Sequence, residues 1–120
     1  MTEQDQYQEV YDKVKAHLLT QGEKSMNDGD CMYRGNNGLK CAIGCLIDDT
    51  LYNPHIEGIA ITGPSGFLIR HLLVKSGINV ELPKMQNLLN SLQLLHDETS
   101  PKDWKQELES YVAPTYSLNP

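Results

Sequence analysis

Residues 31–52, CMYRGNNGLKCAIGCLIDDTLY, are the stretch on which the fold of this 120-residue chain depends. Their centre, Gly-Asn-Asn-Gly at 35–38, is typical of a turn, because Asn and Gly tolerate positive φ. We therefore predict a short β-hairpin with flanks near 31–34 and 39–43. The second flank is ambiguous, since the run 40–46 would equally begin a helix with two cysteines one turn apart.

Helical periodicity dominates the sequence on both sides of this stretch. Apolar stripes and capping residues predict helices over 3–21 and 65–76, a third from Pro83 and a fourth from Ser100. The predicted fold class is α+β, mainly helical, with about four to five helices packed around a short β-hairpin. The helix over 65–76 is apolar nearly all round, which predicts a position in the centre of the fold.

The length fits one domain spanning 1–120. We expect its core to span about 3–112. The proline-bounded ending 113–120, APTYSLNP, is expected to lie along the surface as a tail.

The net charge of −6 is unevenly distributed. Residues 31–80 carry three acidic and four basic side chains, whereas both ends are acidic. An acidic domain repels nucleic acid, so we expect no direct binding to duplex DNA. No apolar run approaches the roughly 20 residues that span a membrane, and no secretory signal is visible. These features predict a cytoplasmic protein with no membrane association.

Three cysteines raise the question of metal binding or nucleophilic catalysis. A zinc site would draw on Cys31, Cys41, Cys45 and His96, or on His55 in place of His96, but only the two later cysteines have near-zinc spacing. Side chains alternate along a strand, so a two-residue hairpin turn would point Cys31 and Cys41 to opposite faces. An odd count without a signal peptide argues against disulfides. We therefore favour buried structural thiols, no cofactor and no catalytic residue.

The turn is bracketed by residues that suit an anionic ligand. Tyr33, Arg34 and Lys40 combine an aromatic ring and two cations with exposed turn amides. In the alternative that we favour, Arg34 forms a structural ion pair with Asp48 or Glu57. Asp48 would also cap a short turn.

The candidate binding set comprises Tyr33, Arg34, Lys40, Asp48, Tyr52 and Glu57.

The central segment resembles a family of small proteins encoded by bacteriophages and prophages. Two motifs carry the resemblance, Cys-x-Tyr-Arg-Gly and Gly-x-Lys-Cys-Ala-x-Gly-x-Leu-Ile, with a helix ending in His-Asp and a last helix bearing Trp. The matching residues are Cys31, Tyr33, Arg34, Gly35, Gly38, Lys40, Cys41, Ala42, Gly44, Leu46, Ile47, Asp48, Tyr52, Glu57, Gly58, His96, Asp97 and Trp104. The resemblance spans residues 7–112 and implies a phage setting, without implying a mechanism.

The expected function is that of a non-enzymatic phage-type accessory protein. Such a protein would bind a host protein or protein complex in the host cytoplasm and modulate or inhibit it, in host takeover or anti-defence. One alternative is a protein that sequesters a small anionic ligand or nucleotide with the 33–40 hairpin. The other is a zinc-stabilised structural module.

Overall fold

Helix α1 (Glu3–Gln21) has the bounds that the sequence predicts. At its start the Thr2 hydroxyl accepts a hydrogen bond from the Asp5 N–H, and the Asp5 carboxylate accepts one from the Thr2 N–H. This reciprocal capping satisfies two amides that the helix itself leaves unpaired. Gly22 ends the helix with φ of 73°, a left-handed conformation that glycine adopts without steric cost.

Three further helical segments complete the helical part of the chain, and the computed structural model describes all 120 residues. They are α2 (Phe67–Lys75), α3 (Met85–Glu98) and a composite C-terminal helix. The composite helix consists of α4 (Trp104–Glu107), a π-helical turn (Leu108–Val112) and α5 (Ala113–Thr115). The predicted fold class is confirmed, and α3 starts two residues after Pro83. No helix combines the length and the apolar character that crossing a membrane requires.

The core lies between α1, α3 and the C-terminal helix. Trp104 is fully buried there, and its ring stacks on His96 with centroids 5.6 Å apart. The indole N–H donates to the Thr99 carbonyl at 3.0 Å, so this large side chain is buried without an unpaired donor. The α1 face that packs into this core consists of Tyr7, Val10, Tyr11, Val14 and Leu18.

The β-hairpin is not where the sequence analysis places it. Strands β1 (Met26–Asn27) and β2 (Asp30–Cys31) pair antiparallel, joined by Asp28 and Gly29 with φ of 52° and 85°. Two positive φ angles in a two-residue loop are the hairpin geometry that Asp-Gly favours.

The predicted pairing of 31–34 with 39–43 is wrong. It is reduced to one bridge, in which Arg34 lies opposite Lys40. The pairing does not continue past this bridge, because the Tyr33 N–H donates to the Glu57 carboxylate and the Cys41 carbonyl accepts from the Cys45 N–H.

The ambiguous run 40–46 forms a helical turn. The Cys45 N–H donates to the Cys41 carbonyl at 3.0 Å, followed by a 3₁₀ turn over Gly44–Leu46. Gly44 is required in this turn because a Cβ atom there would lie 2.0 Å from the Tyr33 carbonyl oxygen. The close approach presses the turn against the Tyr33–Arg34 segment.

The ending 113–120 is a surface tail only in part, because some of its side chains belong to the core. Ala113, Tyr116 and Leu118 are buried, and the Tyr116 hydroxyl is 2.8 Å from the Ser91 hydroxyl. The Gln4 side-chain amide donates to the Tyr116 carbonyl at 3.0 Å, which fastens the ending to α1. Prolines interrupt regular hydrogen bonding without preventing the apolar side chains between them from packing.

Helix α2 lies at the surface, contrary to the predicted central position. It buries only one side, formed by Ile69, Leu72 and Leu73. Phe67 is 70% exposed and Val74 is 50% exposed. A helix that is apolar nearly all round can still have one face without a neighbour, and hydrophobicity alone does not reveal which face that is.

Candidate functional site

Glu57 organises the predicted binding residues. Its carboxylate accepts hydrogen bonds from the N–H of Tyr33 at 2.7 Å, the N–H of Arg34 at 3.0 Å and the hydroxyl of Tyr52 at 2.5 Å. Burial, together with the Glu57 carboxylate, raises the pKa of Tyr52 to about 12. All three donors belong to this chain, so Glu57 acts as an internal acceptor that joins two segments.

The Arg34 guanidinium is equally engaged. It donates to the carbonyls of Ile47 at 2.6 Å and Gly44 at 3.3 Å, and it pairs with the Asp49 carboxylate at 2.9 Å. Its centre lies 5.0 Å from the centroid of the Tyr52 ring, in cation–π contact. The structural ion pair exists, but Asp49 is its partner, rather than Asp48 or the Glu57 side chain.

Lys40 reaches the same Asp49 oxygen from the other side, at 3.0 Å. The hydrogen bond and charge of Lys40, followed by the charge of Arg34, lower the pKa of Asp49. Asp48 caps a turn by accepting from the N–H and hydroxyl of Thr50, as predicted for a cap, and lies outside this ion-pair cluster. Asp49 was not among the predicted site residues, although it stands beside the predicted Asp48 in the sequence.

The predicted residues other than Asp48 are therefore brought together, and their polar groups are held by other groups of the chain. We call this arrangement the polar network. It consists of Tyr33, Arg34, Lys40, Asp49, Tyr52 and Glu57. Its carboxylates and its guanidinium hold the loops around the turn together, which is a structural role.

The residues considered for zinc do not converge. Only Cys31, His96 and Asp97 place ligand atoms within 4.8 Å of one another. The Ser25 N–H donates to Nε2 of His96 at 2.9 Å, so Nδ1 carries the proton and donates to Asp97 at 2.7 Å. Neither ring nitrogen has a lone pair available for a metal or for a cysteine proton.

The other two cysteines are held inside the helical turn. The Gly44 N–H donates to the Cys41 sulfur at 3.2 Å, and the Cys45 thiol donates to the Ala42 carbonyl at 3.0 Å. Burial raises the pKa of Cys41 well above its ordinary value and that of Cys45 to about 11. Burial is also the main cause of the raised pKa of Cys31. These thiols are protonated at neutral pH, whereas a cysteine nucleophile must be a thiolate.

Two concave regions remain beside these buried groups. An open depression of about 460 Å³ lies along residues 45–50, with Lys13 and Lys40 on its wall together with Asp48 and Asp49. A cleft of about 240 Å³ separates the segment 58–61 from the outer side of α3. Lys13 takes part in none of the ion pairs of the chain, so its charge is available in the depression.

Unlike the polar network, the outward face of α2 exposes its side chains to solvent. Phe67, His71 and Val74 recur at helical spacing and are exposed, and the rings of Phe67 and His71 stack with centroids 6.3 Å apart. Lys75 is exposed on the same side. Ser76, at the end of the helix, points inward and accepts from the Asp48 N–H at 2.9 Å.

No protein-family model matches the chain, and no curated protein or solved structure matches it significantly. The resemblance to phage and prophage proteins therefore stays a prediction, and function has to be argued from the geometry.

Proposed function

We propose that this chain is a non-enzymatic phage-type accessory protein that binds a host protein or protein complex and modulates its activity in the host cytoplasm. The observation that carries the proposal is the outward face of α2, where Phe67 and Val74 are 70% and 50% exposed. Single exposed apolar residues are ordinary on protein surfaces, but Phe67 and Val74 lie with the exposed His71 along one side of the same helix, and such a grouping favours an interaction site.

The state of the reactive side chains supports a binding role over catalysis. Both nitrogens of His96 are engaged, and the raised pKa values of the cysteines favour the unreactive thiol. The carboxylate of Glu57 is held by three internal donors. A general base or nucleophile needs a free lone pair directed at a substrate, and these groups direct theirs at the protein.

The proposal is tested by capture from a host lysate. The immobilised full chain is compared with Phe67→Ala and with Tyr111→Ala, which removes an aromatic ring of similar exposure from the C-terminal helix. We expect a host protein that is retained by the wild type and by Tyr111→Ala and is lost with Phe67→Ala. Capture of no host protein, or equal capture by all three chains, would contradict the proposal.

A second candidate function is the binding of a small anionic ligand or nucleotide. It is favoured by one observation, the position of Lys13 and Lys40 on the same open depression. The ligand would lie on this depression rather than on the predicted hairpin, because Arg34 and Glu57 are occupied by internal partners.

Thermal unfolding with inorganic phosphate and with nucleotides tests this second function. A saturated site at a hundredfold excess over its dissociation constant stabilises the protein by about 2.7 kcal/mol. We expect the shift to disappear in Lys13→Ala. If no phosphate compound raises the unfolding temperature, the anion-binding function is wrong.

A further inference from the structure

We propose that the outward face of α2 receives an acidic amphipathic helix of the partner protein. This inference rests on the proposed function and adds the chemical class of the segment that is bound. It starts from the geometry of α2, where Phe67, His71 and Val74 lie at i, i+4 and i+7. These positions share one side of a helix, and a stripe with this spacing packs against another helix by ridges and grooves.

The charges that border the same face favour a partner segment with acidic residues. Helix α2 contains Arg70, His71 and Lys75 and no acidic residue, although the whole chain has a net charge of −6. The Asp48 backbone N–H donates to the hydroxyl of Ser76 at the end of the helix, nine residues after Phe67 and therefore on the opposite side from it. The outward face is therefore an apolar stripe bordered by positive charge, which is complementary to apolar residues bordered by carboxylates.

The contacts of Arg70 hold the first turn of α2 in place. One nitrogen of its guanidinium donates to the carbonyls of Ile61 at 2.6 Å and Gly63 at 2.7 Å. Gly66 packs so closely on the segment before the helix that a Cβ atom there would lie 2.2 Å from the Ile61 carbonyl oxygen. The start of α2 is thereby fastened to the core, and little ordering is needed when a partner binds.

Two other occupants are less compatible with the charges. A second copy of the chain, paired through α2 about a twofold axis, would bring Arg70 and Lys75 against their own equivalents. A nucleic acid would find only Arg70 and Lys75 as cations on this helix, whereas nucleic-acid affinity comes mainly from many cation–phosphate contacts.

The size of the face predicts a weak complex. Nine helical residues span about 13 Å, and four exposed side chains cover well under the roughly 800 Å² per partner of a standard interface. A dissociation constant on the order of micromolar is therefore expected for an isolated helix. Most of the affinity should come from Phe67, the most exposed aromatic residue on the face.

The probe is a labelled synthetic helix of about 16 residues, long enough to form a helix on binding, with leucines at i, i+3, i+4 and i+7 and glutamates elsewhere. A matched probe carries lysines in place of the glutamates, and an oligothymidylate represents nucleic acid. Fluorescence polarisation is measured with the full chain, and circular dichroism checks that every variant is folded. Sedimentation of the unliganded chain reports self-association.

We expect the acidic helix to bind, the basic helix and the oligothymidylate not to bind, and the free chain to be monomeric. Phe67→Ala should weaken the acidic helix about tenfold or more, and Tyr111→Ala should leave its affinity unchanged. Lys75→Glu should weaken the acidic helix roughly threefold or more and strengthen the basic one, a reversal that a merely structural role for Lys75 would not produce.

Equal binding of the acidic and basic helices, preferential binding of the oligothymidylate, or a dimer broken by Phe67→Ala would overturn the acidic-helix inference. The proposed function fails separately, when capture of a host protein does not depend on Phe67. If Phe67→Ala abolishes host capture while the acidic helix does not bind, the proposed function stands and the acidic class is wrong.

Discussion

The polar network around the turn and the outward face of α2 differ in a way that the sequence conceals. The network is rich in charged and aromatic residues, yet Arg34 and Glu57 form their hydrogen bonds and ion pairs with other groups of the same chain. The α2 face carries residues that suggest an ordinary core, yet Phe67 is 70% exposed. Residue type determines which interactions a side chain can make. Its neighbours in the fold determine whether it is free to make them with a partner.

The largest expected effect is at Gly44, beneath the polar network. A methyl group in Gly44→Ala would lie 2.0 Å from the Tyr33 carbonyl oxygen, and the backbone on both sides would have to move. We expect a loss of about 3 kcal/mol or more in the free energy of unfolding, measured with urea. Gly58→Ala is the control, since it meets no atom within 4 Å and should cost about 1 kcal/mol through its positive φ. Equal losses in the two variants would show that the close contact has no energetic weight.

The next effect tests whether Glu57 is structural. Glu57→Ala leaves the N–H groups of Tyr33 and Arg34 without their acceptor, and we expect a loss of about 2 to 3 kcal/mol on urea unfolding. Glu57→Gln keeps one oxygen acceptor and should lose about half as much. A fully stable Glu57→Ala protein would contradict the structural role and would reopen this carboxylate as a ligand-binding group.

A smaller effect concerns acid stability and the shared carboxylate of Asp49. Lys40 and Arg34 lower the pKa of Asp49 from its ordinary value of 3.8. Because the pKa is depressed in the folded state, the stabilisation is present above pH 3.8 and is lost as the pH falls through the lowered value. Asp49→Asn should therefore unfold with a weaker pH dependence in this window than the wild type. Identical acid-unfolding curves would indicate that the two ion pairs do not persist in solution.

The smallest effect is expected on the α2 face. Phe67→Ala should change the free energy of unfolding by no more than about 0.5 kcal/mol, because most of the ring is already in water. Ile69→Ala, on the buried side of the same helix, should cost about 3 kcal/mol. If Phe67→Ala is as destabilising as Ile69→Ala, the ring is packed in solution and the face is not free for a partner.

Prediction from sequence succeeded where local signals decide the structure. Helix α1 was predicted with its observed bounds because a regular apolar stripe and Gly22 mark it in the sequence, and the structure adds Thr2 as the cap at its start. The hairpin was misplaced because Asn36 and Asn37 are as turn-prone as Asp28 and Gly29. The deciding contact, Glu57 on the N–H groups of Tyr33 and Arg34, is more than twenty residues away.

For the candidate site, the sequence predicted most of the residues that come together. It did not predict whether they bind one another or an outside ligand. The pairing of Arg34 with a structural carboxylate was favoured, but the choice of Asp49 depends on the path of the loop that carries it. The exposure of α2 could not be predicted, since Phe67 and Ile69 have similar hydrophobicity and only packing distinguishes them. Long-range contacts, rather than residue types, determine that the polar network is occupied internally whereas the outward face of α2 is exposed.

The most direct test of the central claim is quantitative capture of the host partner by three chains in parallel, the wild type, Phe67→Ala and Lys40→Ala. Lys40 is the control from the polar network, because its exposed ion pair with Asp49 contributes little to stability and its loss leaves the fold intact. The account predicts that Lys40→Ala retains the partner as well as the wild type does, whereas Phe67→Ala loses it. Retention by Phe67→Ala together with loss by Lys40→Ala would contradict the account and would return the binding site to the turn.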